Sequence, residues 1–157
     1  MRFEEWQPPI IEDGKPTKWN WVVQHPEKLI IKKQTSIGSF TYINALEGVE
    51  IQENVQIDSH CSIYSYHTLQ EAIQRGKVLI KKNVHIGSHC TIMPGVTIGE
   101  NTIVEPYSLV NVDLPSDAIA GGTLVKIKEK IEMVKPEISI EKDDTTEWKI
   151  PLFKTYS

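Results

Sequence analysis

Isoleucine and valine recur every six residues along most of this chain. The unbroken run is Ile80, Ile86, Ile92, Ile98, Val104 and Val110. An earlier block keeps the interval through Ile31, Ile37 and Ile43, then Ile51, Ile57 and Ile63. The fifth place of each unit is small or β-branched: Val84, Cys90, Val96, Thr102 and Ser108. Such an interval fits neither an amphipathic helix nor the simple alternation of one long strand. Short strands separated by turns satisfy it, each directing one aliphatic side chain into a narrow core. Units this short bury their apolar faces only by stacking, so the pattern predicts a solenoid with three units to a triangular coil.

The turn chemistry agrees. Gly38, Gly87 and Gly99 directly follow an aliphatic anchor, and Asn54, Asn83 and Asn101 occupy places that tolerate unusual backbone angles. Coil one is predicted around Ile31, Ile37 and Ile43, and coil two around Ile51, Ile57 and Ile63 after a slip near residues 44–50. Coil three holds Ile80, Ile86 and Ile92, and coil four Ile98, Val104 and Val110. The main interruption is a loop at 64–79. Residues 1–28 depart from the interval and carry Trp6, Trp19 and Trp21 among prolines. They read as a cap over the open end of the solenoid; acceptor binding by some of these tryptophans is the other reading. The β-helix is predicted over 29–115 and a C-terminal segment over 116–157. There, Ile127, Ile131 and Val134 share one helical face ahead of Pro136. The tail through Trp148, Pro151 and Phe153 either packs on a neighbouring subunit or is loosely ordered.

The stretch Ile86-Gly-Ser-His-Cys-Thr-Ile-Met-Pro-Gly-Val-Thr-Ile-Gly-Glu-Asn is the densest example of the repeat. It resembles the hexapeptide-repeat proteins, and the resemblance covers roughly 29–131. It implies an all-β fold: a left-handed parallel β-helix of four to five triangular coils, with an N-terminal cap and a short C-terminal helix or tail. Handedness comes from the resemblance alone, since general connection rules favour the other hand.

At 157 residues the chain reads as one domain. Its net charge of −4, with lysine and glutamate intermixed, argues against nucleic acid as a partner. No apolar stretch reaches the length of a membrane span, and the start lacks signal-peptide character, so a cytoplasmic location is expected. The two cysteines, Cys61 and Cys90, take the same place in successive coils and should stack one strand spacing apart, ~4.8 Å. They read as core residues rather than a disulfide.

The interruption is the candidate site, because loops that break a rigid scaffold commonly carry function. It opens Ile63-Tyr-Ser-Tyr-His-Thr-Leu. This is similar to the sugar, maltose and galactoside acetyltransferases of the hexapeptide-repeat family, where a histidine follows a short strand and a loop leads into the next coil. The resemblance implies that His67 is the general base. Imidazole is mostly unprotonated at neutral pH and can take a proton from an attacking hydroxyl or amine. The partner orienting its ring stays open between Glu71 and a backbone carbonyl.

The same resemblance implies acetyl-CoA as co-substrate, no metal, and a homotrimer with sites between subunits. It places CoA contacts at Ser88, Pro106, Asn111 and the Ala120-Gly121-Gly122 turn. The family lysine before Asp-Leu-Pro is Val112 here, so Lys126, Lys128 or Lys130 would have to meet the phosphates. The expected acceptor is a sugar or amino-sugar nucleotide of surface polysaccharide (lipopolysaccharide) synthesis. Two other classes stay open. A γ-class carbonic-anhydrase-like protein would bind zinc through His60, His85 or His89, but Ser88 and Met93 occupy that group's ligand places. A non-catalytic scaffold would use the repeat only for assembly. His25 reads as part of the cap.

Overall fold

The structure is a computed structural model and describes residues 3–69 and 72–130. It is a parallel β-solenoid of about five coils, the left-handed β-helix that the family resemblance implies. The first coil holds β1 (Val22–Gln24), β2 (Leu29–Ile31) and β3 (Ser36–Ile37). The second holds β4 (Tyr42–Asn44), β5 (Val49–Ile51) and β6 (Gln56–Ile57). In the third, β7 (Ser62–Tyr64) leads into a hairpin, β8 (Tyr66–Leu69) and β9 (Ala72–Arg75), before β10 (Val78–Ile80) and β11 (His85–Ile86). The fourth has β12 (Thr91–Ile92), β13 (Thr97–Ile98) and β14 (Ile103–Val104), and the fifth β15 (Leu109–Val110) and β16 (Ala118–Gly121). A last strand, β17 (Lys126–Lys130), turns back along β16.

Three parallel sheets form the faces of the prism. Face one is β1-β4-β7-β12-β15, face two is β2-β5-β10-β13, and face three runs from β3 through β6, β11 and β14 to β16. The register is the one the six-residue interval predicts. Ile31, Ile51, Ile80 and Ile98 stack on face two. Ile37, Ile57, Ile86, Val104 and Ala120 stack on face three. Val23, Ile43, Ile63, Ile92 and Val110 stack on face one. From the second coil on these side chains are at most 1% exposed. Each buried isoleucine contributes about 1.5–3 kcal/mol relative to exposure.

The ladder begins earlier and ends later than the sequence pattern places it. Val22–Gln24, inside the expected cap, already pairs in parallel with β4. At the other end β16 continues face three beyond residue 115. The helix expected from Ile127 is also corrected. Residues 126–130 form β17, antiparallel to β16. An unpaired β16 edge would leave backbone donors and acceptors open, and a returning strand satisfies them. Ile131, Val134 and the tail lie outside the described residues.

Two corners are held by side-chain ladders. Gln34, Asn54, Asn83, Asn101 and Asp117 all have φ between 57° and 65°. The Asn54 amide donates to Asn83 (2.9 Å), Asn83 to Asn101 (3.0 Å), and Asn101 to the Asp117 carboxylate (2.8 Å). The second ladder is aromatic: Phe40, His60, His89 and Tyr107, with φ from 58° to 62°. Neighbouring rings lie 5.2, 4.7 and 4.7 Å apart, the last two pairs stacked. Left-handed backbone is costly for bulky residues, and ring stacking offsets part of that cost.

Asn83 combines a left-handed φ of 61° with two rungs of the amide ladder. Replacing it by alanine loses both, whereas glycine keeps the backbone angle at no steric cost. Urea unfolding should therefore place Asn83→Ala about 1 kcal/mol below Asn83→Gly, and both below the parent. Equal stabilities for the two variants would show that the corner angle carries no strain.

Candidate active site

His67 sits in the hairpin that leaves the solenoid after β7. Its β8 backbone pairs with Gln74 of β9. The hairpin base is fixed by Ser65, which is fully buried. Its hydroxyl donates to the Asn44 carbonyl (2.7 Å) and accepts from Glu47 N–H (3.0 Å), while its carbonyl accepts from Gly76 N–H (2.9 Å). Arg75 adds an ion pair to Glu47 at 3.7 Å and packs its guanidinium over Tyr66. The sequence reading passes over Ser65; its only signal is a small polar residue where the repeat breaks between two tyrosines.

The His67 ring meets Tyr64 edge-on, with centroids 5.1 Å apart. Tyr64 in turn lies 5.8 Å from Tyr42, whose hydroxyl bonds the Gln24 side-chain carbonyl. Burial is the main cause raising the Tyr42 phenol above its ordinary pKa, so it stays protonated. His67 Nδ1 is buried and has no hydrogen-bond partner among the described residues. Glu71, one partner considered for it, lies outside the described residues.

The expected CoA residues fall in two places. Ser88, Pro106 and Gly122 follow one another down the aromatic-ladder corner, as the Ile86–Val104–Ala120 register requires. Close packing there demands glycine: a Cβ on Gly87 would lie 2.7 Å from Pro106 N. Gly121 faces the Glu105 side chain, where a Cβ would come to 3.0 Å, and Glu105 is ion-paired to Lys128 at 2.9 Å. Lys126 pairs with Gly121 across the terminal hairpin and is exposed. Ala120, by contrast, is fully buried in the core. Asn111 is exposed at the far end of face one, on the corner that also releases the His67 hairpin. In one chain, face one therefore separates His67 and Asn111 from Ser88, Pro106 and Gly122.

The remaining histidines and the thiols have structural surroundings. His85 bonds Asp58 at 3.1 Å on face three. His60 and His89 are rungs of the aromatic ladder. Among the described residues no three His, Cys, Asp or Glu side chains group to hold a metal ion. Cys61 and Cys90 are free thiols, each 1% exposed. They bond the Gly87 and Glu105 carbonyls at 3.2 and 3.1 Å. A hydrogen bond with the Cys90 thiol, together with burial, pushes the Cys61 thiol above its ordinary pKa. The same bond, with others from Ser108, draws the Cys90 thiol down to about 7, so burial rather than protonation shields Cys90 from reagents.

Comparison with known proteins identifies the scaffold. Residues 77–111 match the family model described as bacterial transferase hexapeptide (six repeats). A relative in Bacillus subtilis (strain 168), named "Putative acetyltransferase YvoF", is 32% identical over 110 residues, 69% of this chain and 64% of that protein. A hexapeptide-repeat-containing acetyltransferase of Vibrio cholerae O1 biovar eltor, complexed with acetyl coenzyme A, superposes with a TM-score of 0.66 at 26% identity, over 71% of this chain and 65% of its own. A maltose O-acetyltransferase of Clostridium difficile 630 gives 0.62 at 26% identity, over 72% and 64%. The chain carries the hexapeptide repeat over 77–111 and is similar to these acetyltransferases. It spans just under two thirds of the length of these relatives. No helix among the described residues is long and apolar enough to cross a membrane.

The buried thiols carry their own expectation. A thiol reagent at pH 8 should label the native chain slowly and reach two equivalents only after denaturation. Rapid labelling of one equivalent in the native chain would identify a reactive, accessible cysteine.

Proposed function

We propose that this protein is a CoA-dependent acetyltransferase that uses His67 to activate the hydroxyl or amine of a sugar or amino-sugar nucleotide. The carrying observation is the His67 imidazole, braced on Tyr64 by a hairpin anchored at the main interruption of the repeat. Kinship to acetyltransferases, including one complexed with acetyl coenzyme A and one acting on maltose, supports the reaction class and the acceptor class.

In this reading the imidazole removes the acceptor proton as the acceptor oxygen or nitrogen attacks the thioester carbonyl. The tetrahedral intermediate collapses, the carbon–sulfur bond breaks, and the imidazolium returns its proton to the departing CoA thiolate. The thioester is already activated, so proton transfer and alignment are the tasks left to the protein. Ser88, Pro106, Asn111, Gly121 and Gly122 contact CoA, with Ala120 shaping the turn from within the core. Lys126 faces the CoA phosphates, since Lys128 is engaged by Glu105.

The assembly is a homotrimer in the cytoplasm, serving surface polysaccharide synthesis. One observation favours more than one copy at the site. The two candidate clusters lie on different corners of the prism, so copies set side by side would join them.

His67→Ala should keep the oligomer mass and CoA binding while lowering kcat about 10²–10⁴-fold. Thiol release from acetyl-CoA, followed over a panel of sugars and amino-sugar nucleotides, measures this; unchanged turnover of an identified acceptor would rule out His67 as base. CoA alone at about 100 times its Kd should stabilise the fold by about 2.7 kcal/mol. Absence of any thermal shift at high CoA would favour a non-catalytic scaffold.

A further inference from the structure

The N-terminal cap does more than close the solenoid, and its geometry is independent of His67. Among the described residues strand β3 pairs only with β6, on its inner side, and residues from Phe3 to Pro9 lie along its outer edge. The Gln34 side chain grips the Phe3 backbone at both ends, accepting from Phe3 N–H (2.7 Å) and donating to Phe3 C=O (2.8 Å). Trp6 Nε1 donates to the Thr35 carbonyl at 2.8 Å. This attachment leaves a cavity of about 440 Å³ between the segment and the edge, with Trp6, Trp19 and Trp21 among its walls. A cavity of about 310 Å³ adjoins it along the proline-rich segment. Trp19, Lys18, Gln7 and Pro9 line both. Trp19 is thus an indole between two spaces, and it is 45% exposed, whereas Trp21 beneath it is 3% exposed.

We infer that this double cavity is a saccharide-binding site for a neutral glycan of two or more rings laid across Trp19. Three properties select that chemistry. Indole rings offer broad, rigid apolar surface with few rotamers to immobilise, which suits the C–H face of a pyranose. Gln7, Lys18 and Glu5 ring the cavities with both donors and acceptors, which hydroxyl groups require. Lys18 places its ammonium over one face of the Trp19 ring, 4.3 Å from its centroid, so a donor stands on that face and a pyranose would take the other. The charges are balanced: Glu5 accompanies Lys18 in the larger space, and Glu12 is ion-paired to Lys15 at 2.7 Å in the smaller. An anionic ligand would find no net positive field there. The two volumes are together of the size usual for small-molecule sites, about 300–1,000 Å³. The cavities lie at the first-coil edge of face three, whereas the His67 hairpin leaves face one in the third coil. The site is therefore a holding site for a glycan, separate from the reacting groups.

Tryptophan fluorescence and calorimetry on the full chain test this with maltose, maltotriose, lactose and N,N′-diacetylchitobiose as probes, and glucose and AMP as controls. At least one oligosaccharide should bind saturably and more tightly than glucose. Trp19→Ala should weaken that binding about tenfold, corresponding to 1.4 kcal/mol, with an unchanged circular dichroism spectrum. Trp19→Phe, which keeps an aromatic surface and guards against a misfolded alanine variant, should weaken it less. His67→Ala should bind the glycan as the parent does, which separates this site from the proposed reaction. No saturable binding by any probe up to about 50 mM, a level weaker than millimolar affinity, would overturn the inference. So would glycan binding unaffected by either Trp19 variant, or AMP binding that is tighter than that of every glycan and that Trp19→Ala abolishes.

Discussion

Everything in this protein depends on one constraint: each coil must lie in register on the last. Backbone N–H groups of one coil donate to carbonyls of the next, as Ser36 does to Val55, Gln56 to Val84 and His85 to Thr102. A slip would break these bonds and also turn isoleucines from the core to solvent, because side chains alternate along a strand. Backbone pairing and apolar burial therefore select the same alignment. That agreement lets strands of only two or three residues, marginal alone, form three continuous sheets.

Register also dictates the corners. Stacked coils repeat the same backbone angles at the same depth, so residues at equivalent corners become neighbours whatever their chemistry. One corner answers with asparagines linked amide to amide, the other with stacked imidazoles flanked by Phe40 and Tyr107. These ladders convert an angle unfavourable for most residues into a position where neighbours compensate it. The inner face of the aromatic-ladder corner is filled in the same way by Thr41, Cys61, Cys90 and Ser108, all 2% exposed or less.

Function enters where the repeat is interrupted. A regular coil has no place to raise a side chain clear of the prism, but the β8–β9 hairpin does, and Ser65 and the Arg75–Glu47 pair hold its base. The terminal hairpin of β16 and β17 closes the other end and brings Lys126 and Lys128 beside Glu105 and Gly121. The N-terminal segment bridges to β1 through the backbone at Gly14 and Pro16 but covers β3 through side-chain bonds, which leaves room beneath it.

The sequence alone determined the six-residue register, the stacking of Ile57 on Ile86 and of Cys61 on Cys90, and the break after Ile63. Periodicity expresses these directly, because a six-residue interval leaves one way to bury every isoleucine. The tertiary structure decided what periodicity cannot express. Ile127 fits a helical face as well as a strand, and the open edge of β16 settled it as a strand. Ala120 belongs to a glycine-rich turn in sequence, yet register turns it into the core. Ser88 and Asn111 both belong to the expected CoA set, yet the width of face one holds them on different corners. Local pattern specifies which residues point inward; only the packed coils specify which distant residues meet, since those meetings depend on where each chain segment leaves and rejoins the prism.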